Sequence, residues 1–147
     1  MTTIAYKDGV MAGDRQQTCN GVIVGYRTKI HKHEGCLIGC CGDVQDCVAF
    51  VEWFKKGCGE EKPQVSDHFT AMVIYPDTKI CMFGDKLFPH ELGANSHAIG
   101  SGCEIAIGAM AVGANPIEAL AVACKIDTGT GCDVDGDIDV LNIIAKK

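Results

Sequence analysis

Residues Thr2–Tyr6 alternate and are β-rich, Asp8-Gly9 has the form of a two-residue hairpin turn, and Val10–Asp14 returns as a second strand. Gly21–Val24, Thr28–His33 and Cys36–Cys41 read as further strands, separated by glycine or charged turns. The period then changes. In GDVQDCVAFVEWFKKG, Val44, Cys47, Val48, Val51 and Phe54 fall at i, i+3, i+4, i+7 and i+10, which is one face of a helix. Asp43 is placed to cap that helix and Gly57 to end it, while Glu52 and Lys56 can pair on its wet side. A polar loop, GCGEEKPQVSD, follows. His68–Tyr75 and Lys79–Phe83 predict a second hairpin around Pro76-Asp77. Ser96–Gly100 leads through GSG into a helix over Cys103–Val112, and Pro116 opens another that runs to Ile126. A loop, a turn at Asp135-Gly136 and a last strand close the pattern.

The segment EIAIGAMAVGA is apolar on nearly every side, which predicts a helix buried between layers or turned toward another subunit. Strands, helix, strands, two helices and strand are satisfied by two sheets covered on their outer faces by helices, because each element needs a partner for its apolar face. A length of 147 residues predicts one domain, 1–147, with a core that needs no staples.

Charge and cysteine content narrow the chemistry. A net charge of −6 argues against a nucleic-acid partner held by phosphate contacts. Ile105–Cys124 is the most membrane-like stretch, but Asn115, Pro116 and Glu118 interrupt it, so no membrane span is expected. The first residues lack the apolar run of a secretory signal. The 10 cysteines are therefore expected reduced in a cytoplasm, mostly as small core residues. No C-x-x-C pair exists, which leaves zinc a weak reading. DVDGDID lacks the glycine of a calcium loop, with Ile138 in its place, and GSGCEI lacks the third glycine of a dinucleotide loop. His68, His90 and His97 have no ligand spacing.

Five motifs occur in order: TTIAYKDGVMAGD, the strand TKI, CCGDVQD before a helix, IGSG before another, and KIDTGTG after the last. Together they resemble the proteasome β-subunit family, in particular the bacterial peptidase HslV and its small phage-encoded relatives. The resemblance spans nearly the whole chain. It implies an α+β fold, the four-layer αββα sandwich of N-terminal-nucleophile hydrolases, here without the second helix usual after the first, since only Gly57–Asp67 fills that gap. It implies a threonine peptidase acting on peptides or unfolded protein within a homo-oligomeric ring, with an AAA+ unfoldase as partner, in a bacterial or virus-infected cytoplasm.

The resemblance also assigns roles. Thr2 would be the nucleophile once Met1 is removed. A hydroxyl needs a base, and the α-amine of the same residue can serve, since such amines titrate near pH 7.7–8.0 and about 10–15% is free base at neutrality. A neighbouring cation would raise that fraction. Lys29 matches the family's lysine and shares one strand face with His31 and His33. Asp14 would pair with and orient Lys29. Gly42 would donate its N–H to the oxyanion. Thr18 and Cys40 match substrate-binding positions, Cys40 at the base of a modest apolar pocket. Ser101 would relay protons near the Thr2 amine, supported by Asp127 and Thr130. No cofactor is expected, although relatives hold a structural cation through carbonyls of the Asp127–Thr130 loop. Two rival readings share the fold: an inactive assembly protein and an amidase for small substrates.

Overall fold

A computed structural model describes residues 2–131 and 137–143, and the turn expected at Asp135-Gly136 lies outside them. The first hairpin forms as its sequence predicts. Strand β1 (Thr3–Lys7) meets β2 (Val10–Gly13) across Asp8 and Gly9, both at positive φ. β1 also pairs with β10 (Ser96–Gly100), and β2 with β11 (Asp139–Asn142), giving the antiparallel order β10-β1-β2-β11. A second antiparallel sheet runs β5 (Ile30–His33), β6 (Cys36–Cys41), β7 (Thr70–Ile74), β8 (Ile80–Phe83) and β9 (His90–Leu92). β3 (Gln16–Cys19) and β4 (Val22–Tyr26) form a separate two-stranded ribbon. The strands at β3 and β9 were not legible in the pattern.

Alternation along the strands sorts side chains between two cores rather than between core and water. Ile4, Tyr6, Met11 and Ile99 of the first sheet pack with Leu37, Met72, Ile74, Ile80 and Met82 of the second. On the far side of the second sheet, Ile38, Cys40, Ala71, Val73 and Phe83 meet helix α1 (Val44–Lys55) through Phe50, Val51 and Trp53. The Phe50 ring contacts those of Trp53, Phe69 and Phe83 at centroid distances of 5.0–5.8 Å. On the far side of the first sheet, Ala5, Ala12 and Ala98 meet helices α2 (Cys103–Ala111) and α3 (Pro116–Ile126) through Ala106, Met110, Ala119 and Leu120.

α3 begins with a full capping box, Asn115 and Glu118 exchanging hydrogen bonds behind Pro116. α1 begins differently. Asp43 holds the N-cap position without a side-chain cap bond, and its carboxylate lies 3.5 Å from the His68 ring instead. α2 is not an inner helix of this chain. Ala106 and Met110 are buried, while Ile107 and the following Val112 are exposed, so its apolar sequence serves one buried face only. No helix interrupts the segment between α1 and β7. Four of the nine described cysteines are buried, namely Cys36, Cys40, Cys41 and Cys81, fewer than the composition suggested. No helix among the described residues is long and apolar enough to cross a membrane.

Candidate active site

Thr2 stands just before β1, and the register Thr3↔Gly100 lays it against the end of β10. The GSG motif fits that contact. The Ser101 N–H donates to the Thr2 carbonyl at 2.7 Å, and the Ser101 hydroxyl reaches the same oxygen at 3.5 Å. A Cβ on Gly100 would overlap that carbonyl oxygen, and one on Gly102 would overlap the Thr3 hydroxyl. Gly100 also sits at φ +99°, so both geometry and space demand glycine there.

Behind this contact lies a buried ion pair. Asp14, wholly buried at the end of β2, accepts from Lys29 Nζ at 2.9 Å and from the Thr3 N–H at 3.0 Å through Oδ1. Its Oδ2 accepts from the Gly131 N–H at 3.2 Å. Three donors therefore meet one carboxylate, which is what burial of a charge requires. Lys29 is nearly buried too. Desolvation pulls its ammonium below the ordinary lysine range, and Asp14 works against that shift.

A second network runs through hydroxyls. Thr3 Oγ1 accepts from the Gly102 N–H at 3.0 Å and lies 2.6 Å from Thr130 Oγ1. Thr130 donates to Asp127 Oδ2, as does Ser101 from the other side at 2.6 Å. Because Thr130 spends its single proton on Asp127, the Thr3 hydroxyl must donate to Thr130. Burial raises the Asp127 pKa, but the hydrogen bonds from Ser101 and Thr130 outweigh it and hold the carboxyl below its usual range.

The surface around Thr2 is concave on both sides. A cleft of about 220 Å³ is lined by Thr2, Thr18, Lys29, His31, Cys40 and Gly42 among others. A second, of about 690 Å³, shares Thr2, Thr18 and Gly42 and adds Ser101 and His97. Thr2, Thr18 and Gly42 thus stand on the line where the two clefts meet. Cys40 is buried, and interaction with the Cys47 thiol on α1 pushes the Cys40 thiol up and draws the Cys47 thiol down. All nine residues singled out in the sequence lie in these two networks or clefts.

Three residues of the site carried no assignment. Thr3 joins both networks, through its N–H to Asp14 and its hydroxyl to Thr130. Gln16 and Arg27 line the first cleft. The parity that puts Lys29 and His31 on one strand face was the only sequence signal for this wall. Among the described residues, no three His, Cys, Asp or Glu side chains converge on a metal site.

No family model matches the sequence, and no curated protein matches it either. Solved structures do match. Thiobacillus denitrificans BPH superposes with a TM-score of 0.67 at 16% identity, covering 99% of each chain. The same protein in complex with epoxomicin gives 0.66 at 16%, covering 98% of this chain and 99% of that one. HslV from Trypanosoma brucei gives 0.70 at 17%, covering 96% and 98%. With the GSG contact and the Asp14–Lys29 pair set against one N-terminal strand, this chain has the fold of HslV-like, proteasome-type threonine peptidases.

Proposed function

We propose that the protein is a threonine-type endopeptidase whose nucleophile is Thr2, exposed as the first residue when Met1 is removed. The observation that carries this reading is the shared cleft. Thr2 and the Asp14-bound Lys29 line the same cavity, with Gly42 beside them. Lys29 keeps positive charge near the Thr2 amine and hydroxyl, which favours the neutral amine and the developing alkoxide. Asp14 holds Lys29 in place and is itself held by two backbone N–H groups.

In the reaction, Thr2 Oγ1 attacks the scissile carbonyl and passes its proton to the Thr2 amine. The oxyanion accepts from the Gly42 N–H, a contact worth roughly 3 kcal/mol in comparable sites. Collapse of the tetrahedral adduct returns the proton to the leaving amine and leaves an ester on Thr2. A water, deprotonated by the same amine, attacks that ester. The acid product leaves and the threonine hydroxyl is restored. Ser101, backed by Asp127 and Thr130, fixes the Thr2 carbonyl and stands ready to relay protons near the amine. Thr18 and Cys40 contact the substrate from the cleft walls.

The finer architectural reading is a helix–sheet–sheet–helix sandwich over one domain, 1–147, assembled as a ring with exposed apolar residues such as Ile107, Val112 and Ile117 at subunit contacts. An AAA+ unfoldase would feed such a ring. A cation held by carbonyls of the Asp127–Thr130 loop fits the resemblance, and no step above runs through it.

The test uses the purified protein. Intact mass should show loss of Met1, epoxomicin should add one equivalent per chain at Thr2, and Thr2→Ala should abolish both labelling and cleavage of fluorogenic peptides. Peptide cleavage by protein that retains Met1 overturns the mechanism. A ring that neither labels nor cleaves points to an assembly protein. Hydrolysis of small amides but no peptides points to an amidase.

A further inference from the structure

The cleft beside Thr2 carries charge as well as the apolar lining of Cys40, Val44, Cys47, Val48 and Val51. Three permanent cations line it: Arg27, Lys29 and Lys55. Glu52 is the one carboxylate on the lining, and it is exposed. Lys29 is matched by Asp14 behind the wall. The nearby Arg15 is likewise matched, by Asp139 at 2.8 Å. Arg27 and Lys55 have no carboxylate partner among the described residues. Arg27 is half-buried, and its backbone is pinned by an N–H donated to the Arg15 carbonyl at 2.8 Å. The field of these groups is felt by their neighbours. Burial first, then Lys55 and Arg27, holds the His31 imidazole below its ordinary range, and Arg27 and Lys29 help draw the Cys47 thiol down.

Arg27 is partly exposed with no carboxylate beside it among the described residues, so its guanidinium is free to meet an anionic ligand in the cleft. A guanidinium offers a planar fork of donors that a carboxylate fills with two parallel bonds. Two clefts adjoin the attacking hydroxyl, and this one, which holds Lys29 and Cys40, is assigned to the side chain of the residue whose carbonyl is attacked. We propose that this cleft selects an acidic residue at that position, glutamate or aspartate, with Arg27 as the principal specificity residue and Lys55 as a second cation at the mouth. The inference rests on the peptidase reading and names its substrate class. An aliphatic side chain would leave Arg27 unpaired and drier than before. A lysine would meet two unmatched like charges, Arg27 and Lys55.

The experiment compares four fluorogenic peptides that differ only at the residue preceding the scissile bond: Glu, Gln, Leu or Lys. Glutamate should exceed its neutral isostere glutamine about tenfold in kcat/KM, mostly through KM. The ratio should shrink as salt screens the pair. Arg27→Gln should bring the ratio toward one, and Arg27→Glu should turn the preference to lysine. Lys55→Gln, an exposed change that folding tolerates, should lower the ratio by a smaller factor. Cleavage led by Leu, Gln or Lys overturns this inference and leaves the peptidase standing. A Glu/Gln ratio unmoved by both Arg27 and Lys55 variants also overturns it. Cleavage of none of the four removes the peptidase reading and this inference with it.

Discussion

The two networks that meet at Thr3 solve one problem with opposite materials. On one side, Asp14 and Lys29 form an ion pair removed from water, with the carboxylate saturated by Lys29 and the N–H groups of Thr3 and Gly131. On the other, Thr3, Thr130 and Ser101 line up hydroxyls that end on Asp127, a carboxylate only partly buried. The first arrangement places a charge, and the second fixes a backbone. The difference teaches where the risk lies. A buried charge tolerates no missing partner, whereas the hydroxyl chain is buried at Thr3 and Thr130 but reaches the surface at Ser101, where water can stand in for a lost bond.

That contrast can be broken most severely at Asp14. Asp14→Ala leaves the Lys29 ammonium buried without its anion and two backbone donors without an acceptor. We expect a loss of about 3–5 kcal/mol in urea unfolding and no detectable turnover. Lys29→Met with Asp14→Leu should not restore wild-type stability, because the Thr3 and Gly131 N–H groups remain unsatisfied. Full recovery in that double variant would show that the pair matters only as a pair. Thr130→Val tests the hydroxyl side. It keeps the shape but strands the Thr3 proton in a site where Thr130 is 4% exposed, at a cost of about 2 kcal/mol by the same unfolding measurement. A change within experimental error would mean that water replaces the lost hydroxyl.

Asp127→Asn should be the mildest, about 1 kcal/mol at neutral pH, and it should alter the acid limb of stability. The folded carboxyl is held low, so its contribution is complete above the unfolded value of about 3.9 and is lost as pH falls through the lower folded value. In Asp127→Asn that part of the acid loss should vanish from a pH series of thermal melts. An unchanged acid limb would show that Ser101 and Thr130 do not depress the carboxyl.

Much of this site is visible in the chain before it folds. The hairpin at Asp8-Gly9 declares itself by turn chemistry, α1 by its period, and α3 by Asn115-Pro116 and Glu118. Asp14, Lys29, Ser101, Asp127 and Thr130 stand out because motif order brings them to notice. Other features were misread for identifiable reasons. Asp43 has the composition of a cap, but His68 competes for its carboxylate. α2 has the composition of a helix that is interior or turned toward another subunit, and the interior alternative fails because its sheet takes one face only. Arg27 looks like any solvated arginine at the end of a short strand, and nothing local shows that α1 closes over it to make a cleft.

Local chemistry by itself determined the hairpins and the helix periods, because turn torsions and apolar spacing act over a few residues, whereas the glycines of GSG answer to the Thr2 carbonyl and the Thr3 hydroxyl packed against them. Tertiary structure alone decided that Thr3 would bridge two networks, since its partners lie 11 positions away at Asp14 and 127 at Thr130. It also decided which cations found anions, because whether a charge is paired depends on what the packed sheets and helices bring within a few ångströms of it, and a linear chain does not carry that distance.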